Sequence, residues 1–137
     1  MNKYIILLLL CFSEITFAFQ IRGLGSKCLD VRQSSRVILF QCTGAPNQQW
    51  TFRNNGDLVG VDNKCLDVDG FNSADGARVN LYNCHGGLNQ KWSFSQHGEI
   101  RGLAGKCLDV SGNRSINGAR IVIYRCHGGY NQKWSFH

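Results

Sequence analysis

No stretch of this sequence stays apolar for the roughly 20 residues that a membrane-spanning helix needs; the N-terminal run Tyr4–Phe12 falls well short. Lys and Arg outnumber Asp and Glu by 15 to 9, for a net charge of +6, yet the basic residues stand singly. There is no basic run, and no interleaving of basic and aromatic residues of the kind nucleic-acid grooves use. The charge therefore reads as solubility, with a weak attraction to acidic glycans or anionic surfaces left open. Helical periodicity is missing outside the N-terminal segment, so an all-β chain is expected. Neither H-E-x-x-H nor a G-x-S-x-G elbow occurs, and no enzyme is expected.

What is present begins with a targeting signal. Lys3, the apolar run and the small residues around Thr16-Phe17-Ala18 compose a secretory signal cleaved after Ala18. A lipid anchor on Cys11 is disfavoured, because Leu10 stands where lipid processing wants a small side chain. Residues 1–18 are assigned to targeting and residues 19–137 to one domain, secreted to the extracellular space or the periplasm. Cys11 leaves with the signal, so seven cysteines become six. An even count in a short exported chain reads as a disulfide framework. The same oxidised state argues against a zinc or thiol site, and no metal or cofactor is expected.

The chain is organised by repetition. C-L-D-V occurs at Cys28–Val31, Cys65–Val68 and Cys107–Val110, and N-Q-x-W at Asn47–Trp50, Asn89–Trp92 and Asn131–Trp134. The tryptophans are spaced 42 and 42 residues apart and the C-L-D elements 37 and 42, so the first repeat is five residues short between its cysteines. Repeats of about 19–57, 58–99 and 100–137 follow. Each divides into short strands separated by turn residues, such as Lys64–Val68, Arg78–Cys84 and Gln90–Phe94 in the second. Four strands per repeat predict twelve. The last residues, Trp134–His137, and the first after cleavage, Phe19–Ile21, read as two halves of a hairpin that the interior repeats contain intact. Their pairing would close the fold and remove free edges.

Alternation sorts the faces. Val79 and Leu81 are expected inward, Asn80 and Tyr82 outward. Ile121 and Ile123 go in, with Val122 and Tyr124 out; Val37 and Leu39 go in, with Ile38 and Phe40 out. Six cysteines could pair in fifteen ways. Each repeat holds two, and threefold symmetry favours local bridges: Cys28 with Cys42, Cys65 with Cys84, Cys107 with Cys126.

The combination C-L-D…C…N-Q-x-W, three times over, resembles the ricin-type β-trefoil lectins and the related carbohydrate-binding modules of bacterial xylanases. The resemblance covers the whole of residues 19–137. It implies a six-stranded barrel capped by three hairpins, with up to three shallow sugar sites around a pseudo-threefold axis. It implies sugar contacts from Asp67, Asn80, Tyr82, His85, Asn89 and Gln90 in the second repeat. The third offers Asp109, Tyr124, His127, Asn131 and Gln132. The first keeps Asp30, Asn47 and Gln48 but carries Phe40 and Ile38 outward and Thr43 in place of histidine, so a weak or lost site is expected there. Trp50, Trp92 and Trp134 are assigned to the core.

The residue types suit the task. A carboxylate accepts charge-assisted bonds from adjacent hydroxyls, an amide both donates and accepts, and an aromatic ring covers the apolar face of a sugar. Structural duties compete with these roles. The three aspartates could fix the turn after their strand, and the three glutamines could serve the backbone near the tryptophan. Galactose, N-acetylgalactosamine and xylan-type sugars are the candidate glycans. A protein partner is the second reading, with the chain as the cell-binding or adaptor subunit of a multi-part toxin or secreted enzyme complex. Asp67 and Asp109 fall in separate repeats, too far apart for paired-carboxylate hydrolysis.

Overall fold

The computed structural model describes residues 17–137, so the proposed signal and Cys11 lie almost wholly outside the described residues. Twelve strands form one antiparallel sheet system, four from each repeat. The first repeat contributes β1 (Ile21–Arg22), β2 (Cys28–Arg32), β3 (Arg36–Phe40) and β4 (Thr51–Phe52). The second contributes β5 (Leu58–Val59), β6 (Cys65–Val68), β7 (Ala77–Tyr82) and β8 (Ser93–Phe94). The third contributes β9 (Ile100–Arg101), β10 (Cys107–Val110), β11 (Ala119–Tyr124) and β12 (Ser135–Phe136).

Two kinds of pairing build the shape. The long strands form hairpins β2–β3, β6–β7 and β10–β11, and β3, β7 and β11 also pair with one another around the pseudo-threefold axis. The short strands pair as β4–β5, β8–β9 and β12–β1. The last pairing sets Ile21 opposite Phe136 and Arg22 opposite Ser135, closing the molecule as its sequence ends anticipate. The fold is a β-trefoil.

The core is threefold as well. Trp50, Trp92 and Trp134 are buried, and each indole Nε1 donates to a strand carbonyl, of Leu29, Leu66 and Leu108 respectively. Each ring lies against a glycine of the leading element. A Cβ on Gly60 would meet the Trp50 ring at 2.9 Å, on Gly102 the Trp92 ring at 2.4 Å, and on Gly23 the Trp134 ring at 2.5 Å. The recurring glycine is thus a packing requirement. Phe52, Phe94 and Phe136, also 42 apart, stack edge to face from Phe52 to Phe94 to Phe136. Three disulfides join Cys28–Cys42, Cys65–Cys84 and Cys107–Cys126, each inside its repeat.

Two expectations change. The segment anticipated as a strand from Gln90 is strand only at Ser93–Phe94; Leu88–Gln90 forms a 3-10 turn, which frees the Asn89 and Gln90 amides to point at β6. Ile38 and Val122 do face away from the core side of their strands, yet both are buried. Each is flanked on two sides. Ile38 lies opposite Asp30 and Arg120, and Val122 opposite Asp109 and Arg78, so neighbouring hairpins cover them.

Candidate functional site

In the second repeat, strand β6 carries Asp67 to the rim of the trefoil, where it is only 5% exposed. One oxygen, Oδ2, is held from behind: Gln90 Nε2 donates to it at 2.8 Å and Asn89 Nδ2 at 3.2 Å. The Gln90 amide is fully used. Its nitrogen also donates to the Asn83 carbonyl, and its oxygen accepts from the His85 backbone N–H. Asn80, opposite Asp67 in the adjacent strand, sets its side-chain amide 3.3 Å from Asp67 Oδ1, where the amide donates with its nitrogen turned that way. His85 stands with Nε2 3.6 Å from Asp67 Oδ2, fixed by the Gly87 N–H donating to its Nδ1. Tyr82, 56% exposed, lies beside His85 with ring centroids 6.3 Å apart.

Asp67, Asn80, Tyr82, His85 and Asn89 line one cavity of about 400 Å³ with Asp69, Gly70 and Phe71. Burial holds the Asp67 carboxyl above the ordinary carboxylate range, against the lowering effect of the Gln90 bond and of His85. Asn89 Oδ1 is buried and unpartnered among the described residues. A Cβ on Gly87 would meet it at 2.7 Å and His85 Cε1 at 2.5 Å, so only glycine lets imidazole and amide stand together.

The third repeat rebuilds the arrangement. Gln132 Nε2 donates to Asp109 Oδ2 at 2.9 Å and its oxygen accepts from the His127 N–H. Asn131 donates to the Val110 carbonyl, and His127 Nε2 lies 3.8 Å from Asp109 Oδ2. Burial raises the Asp109 pKa too, opposed by Gln132 and His127. Tyr124, His127 and Asn131 border a cavity of about 780 Å³ together with Ser111, Asn113 and Tyr130.

The first repeat is closed from within. Asp30 is fully buried; Gln48 donates to its Oδ2, as the matching glutamines do in the other repeats, and Asn47 donates to its Oδ1. Arg32 then occupies its remaining face, with Nε 2.8 Å from Oδ1, and lays its guanidinium over Phe40 at 4.1 Å. The matching positions in the other repeats are Asp69 and Ser111. The five missing residues fall at the β2–β3 turn. Residues 33–35 stand where the others have 70–77 and 112–119, so the first repeat lacks the 3-10 turns Asp69–Phe71 and Ser111–Asn113 that wall their cavities.

The structure therefore brings together Asp67, Asn80, Tyr82, His85 and Asn89, and separately Asp109, Tyr124, His127 and Asn131. It places Gln90 and Gln132 behind the carboxylates, fully buried, where they position rather than face a ligand. Sequence reasoning passed over Phe71, Tyr130 and Arg32. Phe71 is 52% exposed at φ 58°, a left-handed conformation costly for a bulky side chain. Its signal was an aromatic in a D-G-F turn. For Arg32 the signal was arginine in C-L-D-V-R against aspartate and serine in the other copies.

The sequence model of the ricin-type beta-trefoil lectin domain matches residues 54–137, which spans the second and third repeats. The chain belongs to this family. Among solved structures, the lectin domain is similar to ThreeFoil, a designed threefold-symmetric protein, with 32% identity over 87% of this chain and 96% of that one, at a TM-score of 0.82. It is also similar to the hemolytic lectin CEL-III, at 27% identity over 86% of this chain and a TM-score of 0.76. A third is the exo-beta-1,3-galactanase 1,3Gal43A of Clostridium thermocellum, at 26% over 89% and 0.79. Of CEL-III and the galactanase it covers only 29% and 30%. A ribosome-inactivating protein of Polygonatum multiflorum is 34% identical over 61 residues, which are 41% of this chain and 10% of that protein.

Proposed function

We propose that this protein is a secreted lectin that binds galactose-type sugars through shallow sites in the second and third repeats. The observation that carries the reading is the same aspartate, asparagine, histidine and tyrosine set assembled twice at a cavity, while in the first repeat Arg32 occupies the aspartate. A sugar hydroxyl must recover the hydrogen bonds it gives up to water. Asp67 and Asp109 have one oxygen anchored by glutamine and the other available to accept from hydroxyls. His85 and Asn89 offer the neighbouring donor and acceptor, and Tyr82 the apolar platform. Asn89 sets its amide beside Asp67, with Nδ2 donating to Oδ2 and Oδ1 buried without a partner among the described residues. The hemolytic lectin and the galactanase among the similar structures support a sugar ligand of this kind.

Shallow, open sites give weak monovalent binding, with dissociation constants of about 0.1–1 mM; two on one rigid body gain by avidity on multivalent glycans. A glycan array followed by isothermal titration of the preferred sugar tests the reading. Two sites are expected, one lost in Asp67→Asn and the other in Asp109→Asn. Three equivalent sites, or no loss in either variant, would sink it. Export is checked by N-terminal sequencing of secreted protein, with Phe19 expected first.

A second reading has its own support, since this chain spans only a small share of the ribosome-inactivating protein and under a third of CEL-III and the galactanase. In it the domain is the cell-binding or adaptor part of a larger assembly. Co-purification of a partner that survives the double Asp67→Asn, Asp109→Asn substitution would favour it.

A further inference from the structure

Three arginines scattered along the sequence converge in space. Arg36, Arg78 and Arg120 are 42 residues apart and stand first or second in β3, β7 and β11 at equivalent register, opposite Asn80, Val122 and Ile38. These are the strands that pair around the pseudo-threefold axis. Alternation turns the arginines to the face opposite Val37, Val79 and Ile121, which are core. All three are exposed, and all three line one cleft of about 360 Å³ with Gln33, Ser35 and Asn80.

Six basic residues elsewhere pair with an acid, among them Arg32 with Asp30, Lys91 with Asp57, Arg101 with Glu99 and Lys106 with Asp75, while Arg22, Lys27, Lys64, Arg114 and Arg125 stand singly rather than gathered. None of the three cleft arginines makes an ion pair among the described residues. One acid, Asp69, lines the cleft, which leaves the charge there positive. Gathering like charges around one axis is unfavourable, and a bound anion relieves that repulsion. The short turn of the first repeat forms one side of the cleft, through Gln33 and Ser35.

We infer that this cleft takes an oxyanion, a sulfate ester or a carboxylate, carried by an acidic saccharide whose neutral part sits in the second-repeat site. Asn80 and Asp69 line both cavities, so the two are adjacent. Guanidinium groups bind such oxyanions through paired N–H donors. A concave cleft beside a sugar site suits a substituent on a sugar better than the flat surface of a membrane. The inference rests on the sugar-site reading of the second repeat.

The test titrates a neutral galactosyl oligosaccharide, its sulfated form and its sialylated form into the wild type, the single Arg→Gln variants and the triple R36Q/R78Q/R120Q. One acidic form is expected to bind about tenfold more tightly than the neutral one at low salt, and its identity separates sulfate from carboxylate. The preference should shrink in each single variant and vanish in the triple, with neutral binding unchanged and thermal unfolding intact. A triple Arg→Lys variant, which keeps the charge but loses the paired donors, should retain part of it. No acidic preference in the wild type overturns the inference. So does a preference that persists in the triple Gln variant, or arginine-dependent binding to phosphatidylserine vesicles without any saccharide preference. If the neutral sugar fails to bind at all, the second-repeat reading fails instead. Inorganic sulfate titrated alone then reads the cleft: arginine-dependent shifts in amide resonances support an anion site, and none overturns it.

Discussion

Asp67 and Asp109 are held where a carboxylate is least comfortable, and that discomfort has a measurable sign. Burial raises the pKa of each above its unfolded value. The protonated form is thus favoured by folding: the stabilising contribution is present below the unfolded pKa and is lost as pH rises through the raised one. Thermal unfolding of the wild type against Asp67→Asn/Asp109→Asn from acid to neutral pH should show the wild type losing ground as pH rises. Sugar binding should move the other way, weakening as acid removes the acceptor. Asp75 acts in the opposite sense, its pKa lowered by its bonds to Lys106 and the Arg125 backbone, but it is common to both proteins. Gly87 gives a second residue-scale expectation. Gly87→Ala forces His85 and Asn89 apart and should weaken the second site by about 1–3 kcal/mol, the cost of disturbing buried polar partners, leaving the third site intact in the same titration.

At the scale of elements, the leading glycine and the Q-x-W tryptophan act as one joint. The tryptophan reaches back to the C-L-D strand through its Nε1 and covers the glycine of the next repeat. Gly102→Ala should therefore cost about 1–3 kcal/mol by overpacking, read as a lower denaturant midpoint. The same joint positions the site, because the 3-10 turn Leu88–Gln90 immediately precedes Trp92 and aims Asn89 and Gln90 at Asp67. One short segment thus carries both Gln90, which is fully buried behind the carboxylate, and Asn89, which lines the cavity. The hairpin loops are the freer elements. Residues 69–76 and 111–118 wall the cavities of the second and third repeats, whereas the three-residue turn of the first repeat lines the arginine cleft instead, through Gln33 and Ser35.

At the scale of the whole molecule, closure and cross-links secure the ends. β1 and β12 meet through paired bonds between Gln20 and His137, and the Phe19 and Phe136 rings pack edge to face 5.1 Å apart. The disulfides add to this, and Cys65→Ser/Cys84→Ser should lose about 3 kcal/mol by the loop-closure argument, checked by chemical denaturation under non-reducing conditions. The proposed sites of the second and third repeats, a third of a turn apart, would present their sugars in divergent directions. Binding to a multivalent glycan surface should consequently exceed monovalent binding by about 100-fold or more, and fall back to the monovalent value when either aspartate is replaced.

The sequence alone determined the repeat, the strand count, the disulfide pairing and the closure of the ends. Each of these follows from local spacing repeated three times, and a threefold pattern has few ways to satisfy itself. The resemblance to the lectin family, carried by the repeated motifs, placed the tryptophans in the core and grouped Asp67, Tyr82 and His85. Only the tertiary structure decided what fills each site. Arg32 covers Asp30 because the shortened turn leaves no wall and the guanidinium finds both a carboxylate and an aromatic face within reach. Ile38 and Val122 are buried because hairpins from other repeats flank them, which alternation along one strand cannot register. The arginines at 36, 78 and 120 are single charges in the chain and one cleft in the fold, because the pseudo-threefold axis brings equivalent positions together however far apart they lie in sequence.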